Sequence, residues 1–125
     1  MFTFNHIALA VKDVDESIAF YQKVFDLNEI ENTASNSKTR WLSLREGKEL
    51  HLIPRPGANI RIVKEVHFAL ATAKIELFAE HLKSLDIDYF DWPGTPNKIH
   101  IRKDGIMQLY FQDPNGYWIE VNNAV

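Results

Sequence analysis

Cysteine is absent from this chain. That gap removes disulfides, thiolate metal ligands and thiol nucleophiles together, so any bound metal must be held by imidazole and carboxylate. A basic field is missing as well: 14 Lys and Arg stand against 17 Asp and Glu, for a formal charge of -3. The cations are scattered instead of lining one face, which argues against nucleic acid as a partner. No apolar run approaches the ~20 residues of a membrane span. The start, Met1-Phe-Thr-Phe-Asn-His6, has no basic leader with an apolar stretch behind it. These absences lead to the expectation of a cytoplasmic protein with neither membrane nor nucleic acid among its partners. What remains is 125 residues at 46% hydrophobic and 25% charged, enough for one compact domain with a real core and too little for two independent ones.

Within that domain the chain repeats itself. His6-Ile-Ala-Leu-Ala10 is echoed by His67-Phe-Ala-Leu-Ala71, and each copy runs through a short polar stretch into an amphipathic helical segment. Self-similarity of this kind implies two supersecondary units of one architecture, module one over about 1–57 and module two over about 62–125. In the first, residues 5–11 alternate in period two, with His6, Ala8 and Ala10 on one face and Ile7, Leu9 and Val11 on the other. Asp13 with Glu16 resembles a capping box, and a helix over about 15–25 follows, carrying Ile18, Tyr21 and Phe25. Residues 26–31 read as a weak strand, residues 40–44 and 49–53 as stronger ones, and Pro54, Pro56 and Gly57 close the module. The second module repeats the order: a strand over 66–70, Thr72 as candidate N-cap, and a helix with Ile75, Phe78, Leu82 and Leu85 as its apolar stripe. A weak strand over 87–90 comes next, then strands over 99–102, 108–111 and 118–121, with a turn at Asp113-Pro-Asn-Gly116. Each module therefore reads as β-α-β-β-β.

The candidate chemistry lies on the strands that open and close each module. Gly47 precedes His51 by the same spacing as Gly116 precedes Glu120. Pleating puts Glu49, His51 and Ile53 on one face, and Trp118, Glu120 and Asn122 on one face of the second module. Leu50, Leu52, Ile119 and Val121 are left for the helices. If the sheets curl with the helices outside, His6, His51, His67 and Glu120 project into a common concavity, two from each module. Imidazole nitrogen and carboxylate oxygen are what a borderline divalent metal takes at about 2.0 to 2.2 Å. A single histidine on a strand is more often a packed or solvated polar side chain than a ligand. It is the paired placement in repeated units that argues for ligation.

Taken together, Asn5-His-Ile-Ala-Leu-Ala-Val11, Ser17-Ile-Ala-Phe-Tyr21, His67 and the segment Phe111-Gln-Asp-Pro-Asn-Gly-Tyr-Trp-Ile-Glu120 resemble the vicinal oxygen chelate superfamily. It includes glyoxalase I, methylmalonyl-CoA epimerase, fosfomycin-resistance proteins and extradiol dioxygenases. The resemblance spans essentially the whole chain and implies an α+β fold: two βαβββ modules forming an eight-stranded cup with helices outside. It also implies a divalent metal (zinc, nickel, cobalt, manganese or iron) on His6, His51, His67 and Glu120, and a homodimer with shared sites. The implied function is a glyoxalase-like lyase or isomerase that stabilises an enediolate or enolate of a small oxygen-chelating substrate. Glu120 matches the family's catalytic base, and Glu49, two residues from His51, is the second candidate; a solvated strand-end carboxylate is the plainer account of Glu49.

Departures from the pattern narrow the substrate. His51 stands where bacterial glyoxalase I usually has a glutamate, and Ala10 stands where it usually has a glutathione-anchoring arginine, so glutathione is not expected. Ala8 and the stop at Val125 depart from the fosfomycin transferases. His6, His67 and Glu120 would also serve as the two-histidine, one-carboxylate face of an extradiol-type dioxygenase, although a fourth ligand at His51 fills a position that chemistry needs open. A metal-free binding protein of the bleomycin-resistance kind is the non-enzymatic alternative, and such members typically lose these side chains. Arg55, Arg61, Arg102 and Lys103 are candidate anion contacts, and Trp92, Tyr110 and Trp118 candidate pocket walls, although solvated loops and core packing explain both sets. His81 and His100 are unmatched in the repeat and read as structural.

Overall fold

A computed structural model describes residues 1–125. It divides into two compact units, Met1–Ile60 and Arg61–Val125. The first contains β1 (His6–Val11), α1 (Val14–Phe25), β2 (Glu29–Ile30), β3 (Arg40–Ser43) and β4 (Glu49–Pro54); the second contains β5 (His67–Ala71), α2 (Ile75–Ser84), β6 (His100–Ile101), β7 (Met107–Gln112) and β8 (Trp118–Asn122). Each unit is βαβββ with a four-stranded mixed sheet, ordered β1-β4-β3-β2 in one and β5-β8-β7-β6 in the other. The fold is therefore α+β, built from two copies of one module. Neither helix is long and apolar enough to cross a membrane.

In the first unit Asp13 caps α1: its carboxylate accepts from the Glu16 N–H at 3.1 Å, satisfying a donor that the first turn leaves without a partner. Asp26 ends the helix in the left-handed region at φ 55° and returns its N–H to the Gln22 carbonyl. Ser17, Ile18, Tyr21 and Val24 are the buried face of α1. Leu9, Val11, Leu42, Leu50 and Leu52 are the buried residues of this unit's sheet. On the solvent side Arg40 grips Glu29 through two nitrogens, at 2.8 and 2.7 Å, and reaches Asp15 at 2.6 Å. This network ties β2, β3 and α1 together.

In the second unit Ile75, Ala79 and Leu82 are the buried positions of α2, with the Phe78 ring 5.8 Å from Phe111. Leu109, Phe111, Ile119 and Val121 complete that core. Two local expectations need correcting. Thr72 is not the N-cap: its hydroxyl accepts from the Lys74 N–H at 3.2 Å, a turn ahead of the helix, and Lys74 occupies the cap position with no side-chain bond. The strand expected over 87–90 shrinks to isolated bridges from Phe90 to Pro96 and Tyr110. Asp86 at φ 56° turns the backbone, neither Pro93 nor Pro96 has an N–H to extend a ladder, and β6 pairs with β7 beyond the Phe90–Tyr110 bridge.

Register matters most for function. In both units the first strand pairs in parallel with the last: His6 opposes Glu49 and Ala8 opposes His51, while His67 opposes Trp118 and Ala69 opposes Glu120. The internal repeat is thus exact at the level of paired residues.

Candidate functional site

In the second unit β8 is held in place by the hairpin that precedes it. The buried Asp113 carboxylate accepts from the N–H groups of Asn115 and Tyr117, at 2.9 and 3.0 Å, and Gly116 takes φ 91° to close the turn. The pleat then places Glu120 on the face of the sheet away from Ile119 and Val121. Its carboxylate is nearly buried, at 6% exposure, yet fully engaged. Oε2 accepts from Asn122 Nδ2 at 2.7 Å and Gln108 Nε2 at 3.0 Å, while Oε1 faces His67 Nε2 at 3.2 Å. His67 Nδ1 lies 2.8 Å from the Lys64 carbonyl, so that nitrogen carries a proton and donates it. Tyr110 opposes Glu120 on β7 and donates to Gln108 Oε1 at 3.1 Å, which fixes the orientation of the Gln108 amide. Burial, reinforced by the Glu120 carboxylate, pushes the Tyr110 phenol above its ordinary range and keeps it protonated.

Above this pair is a feature that sequence reasoning passed over. The Lys64 ammonium donates to the carbonyls of Asp91 and Trp92, both at 2.9 Å. It also lies 5.2, 5.0 and 4.9 Å from the ring centres of Trp92, Tyr110 and Trp118. Burial pulls its pKa below the ordinary lysine value, against the opposing pull of the Asp91 and Glu65 carboxylates.

The first unit repeats the plan with different side chains. His51 occupies the position of Glu120 and Trp41 that of Tyr110, since Trp41 opposes His51 across β3 and β4. Trp41 stacks on His51 with centroids 4.1 Å apart and planes 2° apart; His6 stacks on His51 at 4.1 Å and 14°. The imidazole of His51 is therefore sandwiched. Its Nε2 meets Glu49 Oε1 at 2.9 Å, and His6 Nδ1 meets Asn5 Oδ1 at 2.7 Å, so each ring has one nitrogen occupied and one left over.

The structure thus brings His6 together with His51 and Glu49, and His67 together with Glu120. Within neither unit do three His, Asp or Glu side chains converge on a point that would hold a metal ion. The donor chemistry nonetheless fits one. Carboxylate or carbonyl partners on the second nitrogen of a histidine are the usual support of a ligating imidazole. One constraint is geometric: a metal lies in the plane of the ring that binds it, and the nearly parallel His6 and His51 planes do not meet near either ring. Both ligate one ion only after one ring turns. Elsewhere, Arg102 pairs with Asp104 and Arg55 bonds the Pro54 carbonyl, while His81 lies on α2 and His100 on β6.

Comparison with known proteins bears on the family and the fold. Glyoxylase I 4 of Arabidopsis thaliana is 30% identical over 129 residues, spanning 96% of this chain and 70% of that protein. The fosfomycin resistance protein FosX of Listeria innocua is 24% identical over 129 residues, spanning 94% of this chain and 86% of that one. Among solved structures, the oxidase ChaP-H2 shares the fold with a TM-score of 0.80 at 21% identity, covering 99% of this chain and 94% of that one. The profile of the Glyoxalase/Bleomycin resistance protein/Dioxygenase superfamily matches residues 3–121, and the chain belongs to that family.

Proposed function

We propose that this chain is a metal-dependent lyase or isomerase of glyoxalase type, acting on a small molecule that presents two adjacent oxygens. The observation that carries the reading is the approach of His67 Nε2 to Glu120 Oε1 while the other ring nitrogen donates to a carbonyl. In the neutral imidazole this sets two electron-pair donors face to face, an arrangement that calls for a shared proton or a cation. A divalent ion such as zinc, nickel, cobalt, manganese or iron matches that donor set. His6 and His51 offer the equivalent positions of the first unit. A pair alone falls short of the three protein ligands of a catalytic site, so His6, His51, His67 and Glu120, contributed by one chain or by two chains of a homodimer, are the residues that would hold the ion.

When bound, the ion supplies Lewis-acid stabilisation to substrate oxygens as negative charge develops on them. The chain's own part is to position and to move a proton. Asn122 and Gln108 hold Glu120 Oε2, so Oε1, the oxygen that would meet the ion, is also the one that would take a proton from the substrate carbon next to its carbonyl once free of the ion. Glu49, the other candidate base, is bonded to His51 and orients that ring. Ala8, Ala10, Ala69 and Ala71 keep the neighbouring sheet positions free of bulk.

The test is elemental analysis of purified protein beside a His67→Ala/Glu120→Ala double variant, each reloaded with metal and desalted. About one divalent ion per chain in the wild type and little in the variant is the expected result. No metal in either overturns the proposal and leaves a metal-free binding protein.

A further inference from the structure

We propose that Lys64 is the anchor for an anionic group of the substrate, and that Trp92, Tyr110 and Trp118 receive the apolar part next to that group. The inference rests on taking His67 and Glu120 as the reaction centre, but the anchor itself does not require metal.

An ammonium has three N–H donors, and Lys64 commits two of them to backbone carbonyls. No carboxylate lies within ion-pair distance of it. The nearest candidate, Asp91, turns one oxygen to the N–H groups of Gly94 and Thr95, at 2.9 and 2.6 Å, and the other toward Lys98 at 4.0 Å. The cation is therefore fixed in position, partly desolvated by three rings, and short of a direct counter-ion. In such surroundings an arriving anion gains more than it would at a fully hydrated lysine, because the aromatic walls lower the local dielectric.

Its location gives the charge a purpose. Tyr110 lies under the ammonium and also edge-on to His67, with ring centres 5.6 Å apart; Trp92 stands 6.3 Å from His67 and 5.4 Å from Tyr110. Trp118 shares the pleat face of Glu120 on β8. The Tyr110 ring thus neighbours both the cation and His67, a placement suited to a small substrate whose anionic end sits at Lys64 while its oxygens reach the His67–Glu120 pair. The arginines and lysine singled out from the sequence as anion contacts have no comparable aromatic surround.

A purely structural clamp, tying residues 91 and 92 to the start of β5, is the competing role, and it carries no charge preference. The experiment is tryptophan fluorescence titration of chelator-treated protein with phenylacetate and with its neutral isostere phenylacetamide. The wild type is expected to bind the anion at least about fivefold more tightly, roughly 1 kcal/mol of charge recognition. Lys64→Met and Lys64→Gln are expected to equalise the two, and Lys64→Arg to keep a preference, with far-UV circular dichroism showing which variants fold. Equal affinity or no binding in the wild type, or a preference that survives in either folded neutral variant, overturns the proposal. The titration is run without metal, so a failed anchor and a failed metal site give separate signatures.

Discussion

His67 Nε2 and Glu120 Oε1 face each other across 3.2 Å with the imidazole proton committed to the Lys64 carbonyl on the opposite side of the ring. With the ring neutral, both facing atoms are acceptors, an arrangement that a shared proton or a cation relieves.

Glu120→Gln is therefore expected to behave unlike an ordinary loss of a buried carboxylate. The glutamine carbonyl can keep the donors from Gln108 and Asn122, while its amide N–H donates to His67 Nε2. With chelator at pH 8 the variant should unfold at the same urea concentration as the wild type or a higher one, a gain of up to about 1 kcal/mol. Its metal content should fall to background. A loss of more than about 2 kcal/mol would show that the carboxylate is satisfied as it stands.

The sandwiched His51 gives an optical signal of ligation. His6 and His51 cannot both hold one ion while stacked, so ligation in which His51 is the ring that turns would break the Trp41–His51 contact. Adding zinc, which has no d-electron quenching of its own, should change tryptophan emission in the wild type. The change should be largely lost in Trp41→Phe. An unaltered zinc response in that variant would mean that His51 stays stacked on Trp41 when zinc binds.

The β7–β8 turn sets the position of Glu120, and Asp113 holds the turn. Asp113→Ala is expected to destabilise the protein by about 2 kcal/mol, because two N–H groups lose a buried acceptor. Asp113→Asn retains the acceptor oxygen and should cost less than about 1 kcal/mol. Urea midpoints of the two variants compared with the wild type decide the matter.

Acid sensitivity has an assignable source away from the site. The Arg40 hydrogen bond holds Glu29 below its ordinary value of 4.5, outweighing the burial that pushes it up. At Asp91 burial also pushes upward from 3.8, and the N–H donors of Thr95 and Gly94 more than reverse it. Both groups bind fewer protons folded than unfolded, so their stabilisation is present above those values and is lost as pH falls through them. Urea unfolding between pH 6 and 3 should show that loss, and Glu29→Gln should flatten it by less than about 1 kcal/mol, as expected of a surface pair. An unchanged slope would place the acid sensitivity elsewhere.

Much of this could be read from the residues alone, where the determinants are local. The period-two alternation around His6 and His67, the Asp13 cap and the Asp113-Pro-Asn-Gly116 turn each declare themselves within a few residues, and the shared spacing of Gly47–His51 and Gly116–Glu120 already matched the closing strands of the two units. What was illegible depends on partners far apart in the chain. Thr72 offers its hydroxyl to whichever N–H comes within reach, and only the backbone path decides that this is Lys74 in a turn. Phe90 has strand-like neighbours but pairs with β7 only at Tyr110, as an isolated bridge, while β6 pairs further along the same strand. Trp41 and Lys64 carry no sequence mark at all: the first matters because it opposes His51 across two strands, the second because a loop at Trp92 and two strands bring three rings around it.

Parallel pairing of the first and last strands has a consequence for the order of events at the ribosome. In each unit one donor emerges at the outset and its companion only when the closing strand has been made, with the helix and the intervening strands synthesised between them. A nascent unit therefore displays the histidine of its first strand without its companion, which arrives together with the strand that completes the sheet. On the proposed reading, each pair of donors exists only once its own sheet is closed, and the full set only once both units have been made.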